Sequence, residues 1–404
     1  MRIRSLIIAA LALGVYAAPA LGRSVPTTVG LAGVQSATLR QNARTLDWTV
    51  TLAHGISPRG IASSRRSVCL QFETRSARDV KETVCLSAPT RHSPRLGLTQ
   101  TSWHGSTVGG THPLSGRVIR SNHGRTIAAS FTPTALGLPY RSVRWQVRSE
   151  ARGRQCPSTR INGRTERLCA LDFPAHHAPL AKLHTPRLVG CVAAGPSLVY
   201  HGPADQREIA LTFDDGPWSD PPTIDFVNEL GQLGVPGTFF EIGEQISQFD
   251  PTGAVERAML ANGDMIGNHT WTHPDMTTLS PARQTTELEQ TNQAISHATG
   301  FTPCLWRPPY GATSPALESL ARNLGMDTVM WNIDPRDWAL PGTGSIVATV
   351  LSEAQNGGIT EMHFGGGPRE QTLQALPQIV SDLKARGYRF VNLVQMLGLR
   401  EIWH

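Results

Sequence analysis

From residue 191 onward, short apolar runs alternate with longer amphipathic stretches, and no other feature of the chain constrains its fold so tightly. The runs are IALTF (209–213), GTFFEI (237–242), DMIGNH (264–269), CLWRPP (304–309), DTVMWNID (327–334), ITEMHF (359–364) and YRFVNL (388–393). Each reads as a strand, and the stretches between read as helices. Ser280 followed by Pro281 is a helix N-cap and first helical position, while Gly300, Gly325, Gly357 and Gly387 stand where helices end. Seven strands alternating with helices build a parallel α/β sheet, open or closed into a barrel. In either closure, chemistry belongs at the C-terminal strand ends.

The preceding stretch, about 30–173, follows a different period. LDWTVTLAH (46–54), SVCLQFET (67–74), RTIAASF (125–131) and RSVRWQV (141–147) alternate apolar and polar residues between Gly, Pro, Ser and Asn, the pattern of an all-β, sandwich-like domain. Residues 174–190, rich in Pro, Ala and His, have no period and read as a linker to a second domain over 191–404. Charge divides at the same place. Residues 23–190 carry 24 Lys and Arg against 7 Asp and Glu, whereas residues 191–404 carry 11 against 24. Opposite signs on the two halves imply two modules with different partners.

The N-terminus is expected to be a signal peptide over 1–22: two arginines, the short apolar run LIIAALALGVYAAPA, then small residues suited to a peptidase. That run is short for a bilayer span, and no later segment is apolar for long enough to cross one, so no stable membrane insertion is expected after its removal. An uncleaved anchor is the alternative. Export agrees with six cysteines, an even count that reads as disulfides. Proximity suggests Cys69 with Cys85, Cys156 with Cys169, and Cys191 with Cys304, among the 15 pairings that six cysteines allow. No CxxC pair supports a cysteine-rich metal site.

Polar residues end the predicted strands of the second domain. Asp214 and Asp215 close the first, Asn268 and His269 the third, Arg307 the fourth, Asp334 the fifth with Asp337 close behind, and His363 the sixth. All converge on one mouth, which marks an active site. His269 and His273, four apart in HTWTHP, together with one carboxylate make a three-ligand metal site that leaves positions open for water and substrate. Zinc suits that donor set best, and cobalt, nickel or manganese could use it. A cation also explains two adjacent aspartates, since it cancels their repulsion: one ligates while its neighbour takes a proton from water.

Five motifs now stand in order: TFDDGP (212–217), HTWTHP (269–274), RPPYG (307–311), DPRDW (334–338) and EMH (361–363). With them, residues 191–404 resemble the polysaccharide deacetylases, the carbohydrate esterase family with the NodB homology domain. The resemblance implies a distorted (β/α)7 barrel. It also implies Asp214 as general base, Asp215, His269 and His273 as metal ligands, and Arg307 as the residue that orients Asp214. The main-chain N–H of Tyr310 is implied as an oxyanion donor, and His363 as general acid, with Asp337, rather than Asp334, as its carboxylate partner. In the last motif the family usually has an aliphatic residue lining a slot for the acetyl methyl, where this chain has Glu361. Tyr310 and Trp338 offer an apolar wall to substrate.

The reaction expected is hydrolysis of N-acetyl groups on amino sugars of peptidoglycan or chitin-like polysaccharide by an exported enzyme able to associate with the cell wall. The alternatives are an O-acetyl esterase on xylan or a related glycan, and an inactive carbohydrate-binding wall protein. The basic first domain suits an anionic cell-wall polymer. Nucleic acid is not expected, because no nucleic-acid motif occurs.

Overall fold

The computed structural model describes residues 33–62, 66–73, 80–88, 95–104, 107–136, 142–152, 156–161, 164–174 and 179–404. The expected signal peptide lies outside them. The chain divides into two compact units, Met1–Pro186 and Arg187–His404.

In the first unit, Val34–Asn42, Thr45–Leu52, Thr126–Phe131 and Gly116–Ser121 form one antiparallel sheet in that order. A larger antiparallel sheet runs Ser158–Ile161, Arg164–Phe173, Ser142–Arg152, Arg66–Glu73, Val80–Ser87, Gly97–His104 and Thr107–Leu114. Strict alternation along Thr45–Leu52 turns Leu46, Trp48, Val50 and Leu52 inward. They share one buried cluster with Val68, Leu70 and Phe72 and with Val143, Trp145 and Val147 of the larger sheet. Each such side chain contributes about 1.5–3 kcal/mol through burial. One short helix, Pro58–Ala62, interrupts the strands.

Residues 174–190 differ from the linker expected of them. Leu180–Lys182 pairs with Ser142–Arg152 in the first unit, while Leu188–Val192 pairs with Arg400–Trp403 in the second. Both are short and their partners lie far along the chain, so neither carries a local period. All three disulfides join the cysteines that proximity suggested: Cys69–Cys85, Cys156–Cys169 and Cys191–Cys304.

The second unit contains Glu208–Gly216 (β1), Gly237–Glu241 (β2), Met265–Asn268 (β3), Leu305–Trp306 (β4), Asp327–Val329 (β5), Gly358–Ile359 (β6), Met362–His363 (β7) and Arg389–Phe390 (β8). All pair in parallel, in the order β5, β4, β3, β2, β1, with the short strand Leu198–Val199 beyond β5 and with β6, β7 and β8 also on β1. A parallel bridge between Ile333, just beyond β5, and Thr360 closes the sheet into a barrel. The expected sixth strand is split because Thr212 and Thr360 bond through their hydroxyls: the Thr212 N–H donates to Thr360 Oγ1 at 3.0 Å and Thr212 Oγ1 donates to the Thr360 carbonyl. In the barrel core Phe213 and Phe364 pack against Phe226 of the helix Thr223–Leu233, and Phe239 packs against Phe213 and Phe364.

Among the described residues, no helix is long and apolar enough to cross a membrane. The helix Pro281–Thr299 begins after Ser280 with Pro281 in its first turn and ends at Gly300, whose φ of 74° is left-handed. Gly325 and Gly387 likewise follow helix ends with positive φ. Gly357 does not cap a helix, since the one before it ends at Glu353. A Cβ there would meet the Gly202 carbonyl at 2.5 Å, so a close crossing of two backbones requires the glycine.

Candidate active site

The C-terminal ends of β1, β3, β4 and β7 bring the predicted residues together. Asp214, 2% exposed, is held by Arg307, whose Nη1 donates to Asp214 Oδ1 at 2.8 Å and to Thr212 Oγ1 at 2.7 Å. The guanidinium is wholly buried. Its Nε and Nη2 donate to the carbonyls of Val329 and Met330, and its Cζ lies 4.3 Å from the Phe240 ring centroid. Such a plane, with four hydrogen bonds shared among its three nitrogens, positions the carboxylate in a single geometry.

Asp215 Oδ1 lies 3.3 Å from His269 Nε2 and 3.1 Å from His273 Nε2. His269 Nδ1 is 2.7 Å from the Arg307 carbonyl, an acceptor, so this nitrogen carries the hydrogen and Nε2 presents a lone pair. His273 Nδ1 donates to the Tyr310 hydroxyl at 3.2 Å, and that hydroxyl donates onward to the His273 carbonyl at 3.3 Å. As neutral imidazoles both rings turn an Nε2 lone pair toward Asp215, whose Oδ1 is then buried without a hydrogen-bond donor. Three lone-pair donors face one point, within 4.8 Å of one another. A divalent cation fits that donor set, because a buried oxygen and two imidazole nitrogens otherwise repel with nothing between them.

The local backbone is bent to make this possible. Asp215, Thr270, His273 and Tyr310 are four of the nine described non-glycine residues with positive φ. Such strain persists only where neighbours enforce it. Glu287, on the helix Pro281–Thr299, does so for the histidine loop: its Oε2 accepts from the N–H groups of Trp271 and Thr272 at 2.9 and 2.8 Å. Asn268 Oδ1 accepts from Thr270 N–H while its Nδ2 donates to the Leu288 carbonyl and to Asn292 Oδ1. Gly365 and Gly366 close over Asp215, where a Cβ on Gly366 would stand 2.8 Å from Asp215 Oδ2 and one on Gly365 would strike the Asp215 carbonyl.

Across the mouth, His363 Nδ1 pairs with Asp337 Oδ1 at 2.7 Å. The other Asp337 oxygen accepts from the His363 N–H at 2.8 Å and from Thr372 Oγ1 at 2.6 Å. Burial alone lowers the His363 pKa; the hydrogen bond and charge of Asp337, helped by Asp215 and Asp214, override it and raise the value to about 9. His363 is thus held as an imidazolium with Nε2 free for a substrate. Asp334 instead accepts from the Arg336 N–H at 2.8 Å and makes no contact with His363.

The remaining predicted residues lie around this centre. Tyr310 and Trp338 are 72% and 47% exposed, and Arg336 stacks over the Trp338 ring at 5.0 Å. Glu361, in the break between β6 and β7, is buried to all but 9%. Burial, with the nearby Asp214 charge, pushes its carboxyl up to about 8, tempered by His363 and Arg307. Sequence reasoning missed Thr212, Glu287, Thr372 and the Gly365–Gly366 pair. Only the glycines carried a local signal, a run directly after His363.

A barrel mouth that gathers a buried carboxylate, a carboxylate-paired histidine and three potential metal ligands holds the groups that hydrolysis of an amide or ester requires. The family model described as polysaccharide deacetylase matches residues 201–329. The chain is 36% identical over 203 residues to a chitooligosaccharide deacetylase of Rhizobium leguminosarum bv. trifolii, covering 48% of this chain and 93% of the relative. To a peptidoglycan-N-acetylglucosamine deacetylase of Bacillus cereus it is 37% identical over 198 residues, covering 48% of this chain and 90% of the relative. A crystal structure of a peptidoglycan N-acetylglucosamine deacetylase matches with a TM-score of 0.48 and 30% identity, over 50% of this chain and 93% of that one. The chain belongs to the polysaccharide deacetylase family through its second unit.

Proposed function

We propose that the chain is an exported, metal-dependent hydrolase that removes N-acetyl groups from amino sugars of peptidoglycan or chitin-like polysaccharide. One observation carries the reading: Asp214, fixed by Arg307, and His363, fixed by Asp337, belong to paired residues of adjacent strands beside the Asp215–His269–His273 cradle. The names of the relatives, which deacetylate chitooligosaccharide and peptidoglycan, support the sugar substrate.

Asp215, His269 and His273 hold the cation, zinc by donor set, with cobalt, nickel or manganese able to replace it. When bound, it acts as a Lewis acid on the acyl oxygen and acidifies water. Arg307 engages Asp214 at Oδ1, and Asp214 Oδ2 accepts the proton of the attacking water. The main-chain N–H of Tyr310 donates to the developing oxyanion. His363 Nε2 delivers a proton to the departing nitrogen, which leaves as the free amine while acetate retains the new C–O bond. Asp337 keeps the imidazolium oriented throughout. Tyr310 and Trp338, both exposed, give sugar rings an apolar wall.

Export is supported by the signal-like N-terminus and the three disulfides. The strand-rich, arginine-rich first unit acts as a sandwich-like module that holds the enzyme near an anionic wall polymer. Acetate release from peptidoglycan, chitin oligomers and acetylxylan, each with chelator and with added zinc, tests the proposal. Zinc-restored release from the N-acetyl substrates is expected. Release from acetylxylan alone would replace it with an esterase reading.

A further inference from the structure

The floor of the reacting pocket is set by strand register. β1 and β7 pair Phe213 with Met362 and Asp214 with His363, and β1 and β6 pair Ala210 with Ile359 at the same offset. Glu361 therefore stands opposite Thr212. Neighbours in a parallel pair share a face. Arg307 reaches both Thr212 Oγ1 and Asp214 Oδ1, so the face that carries Asp214 and His363 also carries Glu361, two residues deeper from the mouth. Met362 and Phe364 alternate to the opposite side, fully buried in the apolar core.

Glu361 differs from its neighbours on this face. Thr212, Asp214, Arg307, Asp337 and His363 all have partners. The Glu361 carboxyl makes no hydrogen bond or ion pair with a described residue, although only 9% of the residue is exposed. A polar group buried without a partner is costly, and its natural partner is a ligand that donates a hydrogen bond.

We infer that Glu361 selects the acyl group, and that the chain hydrolyses N-glycolyl amino sugars in preference to N-acetyl ones. The inference rests on the hydrolase reading above. With the carbonyl carbon between Asp214 and His363, the substituent it carries points to the layer below, where it meets Glu361. A methyl there leaves the carboxyl unpaired. A hydroxymethyl pairs with it, and a carboxyl that burial keeps largely protonated can accept from that hydroxyl and donate to it. Hydrolysis then adds water across the amide: the C–N bond breaks, a C–O bond forms, and glycolate and the free amine leave. Sites built to pair a substrate hydroxyl reject analogues that lack it more strongly than apolar pockets reject an added one.

Chitin oligomers carrying N-glycolyl or N-acetyl groups test this on the full, zinc-loaded chain, with amine release giving kcat/KM for each. The expected ratio favours glycolyl by about tenfold or more, and Glu361→Leu reverses it. Glu361→Gln, which keeps shape and hydrogen bonding, retains part of the preference. An acetyl preference in the native chain, or a ratio that neither substitution moves, overturns the inference and leaves the deacetylase reading standing. Calorimetric binding of both oligomers to Asp214→Asn separates the two failures. A glycolyl preference in binding without turnover in the native chain sinks the hydrolase reading alone, and equal or absent binding of both sinks the acyl selection.

Discussion

Arg307 Nη1 and Asp214 Oδ1 lie 2.8 Å apart, with 0% and 2% of their side chains exposed. Both charges have left water, so the pair is balanced only while both members are present. Arg307→Ala strands an unpaired carboxylate and is expected to cost about 3–5 kcal/mol in urea unfolding. Arg307→Lys keeps the charge but cannot reach Thr212, Asp214, Val329 and Met330 together, and it should lower kcat by about 10²-fold or more with a smaller loss of stability. Unchanged unfolding in the alanine variant would contradict the burial argument.

The cation cradle makes a prediction about uptake that is separate from turnover. Asp215→Asn and His269→Ala should each lower zinc affinity by at least about tenfold, read by calorimetry or by metal content after dialysis. Asp214→Asn should bind zinc nearly as well as the native chain while losing about 10²- to 10⁴-fold in turnover. If Asp214→Asn loses the metal and Asp215→Asn keeps it, the roles of the two neighbours are exchanged.

The parts of this centre that were legible in sequence lie inside short segments. Asp214 and Asp215 are adjacent, and His269 and His273 are four apart, so local spacing reveals them. Asp337 precedes Trp338 in a recognisable motif, and the structure pairs it with His363 where Asp334 turns to Arg336 N–H. The supports were not legible. Glu287 reaches Trp271 from a helix sixteen residues on, and Thr372 reaches Asp337 across 35 residues, contacts that no period encodes. The same holds for the fold. Thr45–Leu52 alternates cleanly and was expected, whereas Gly97–His104 and Thr107–Leu114 carry Gly, Thr and Pro with little alternation. Leu180–Lys182 is three residues long and is a strand only because Ser142–Arg152 offers it an edge.

The His363–Asp337 pair predicts an alkaline limb of activity. The folded pKa of His363, about 9, lies above the unfolded value of about 6.5. The imidazolium, and the stability its pairing confers, is therefore fully present below about pH 6.5 and lost as pH rises through about 9. Turnover of the native chain should fall on that upper limb. Asp337→Asn removes the hydrogen-bonded charge, so the limb should move down toward the ordinary histidine range, with kcat reduced even at its optimum. A limb that stays in place in Asp337→Asn excludes His363 as the titrating acid.

Glu241, at the end of β2, and Glu256, on the helix Ala254–Asn262, are wholly buried, and their four carboxyl oxygens are unsatisfied. Burial pushes both upward, Glu256 to about 11; the Glu241 charge adds to the rise at Glu256, and Asp250 adds to it at both. Both carboxyls are therefore folded as neutral acids. Raised folded values mean that stability is fully present below the ordinary glutamate range near 4.5 and declines as pH rises toward 11, because only the unfolded chain releases these protons at neutral pH. Glu256→Gln has nearly the same shape and cannot ionise. Its Tm should match or fall below the native value at pH 4 and exceed it at pH 8, flattening the pH dependence between them. Glu256 lies on the helix Ala254–Asn262 and is none of the cradle residues, so zinc content should be unchanged. A native Tm that is flat over this range, or a variant that loses stability equally at both ends, would show that the glutamates are ionised in the folded chain.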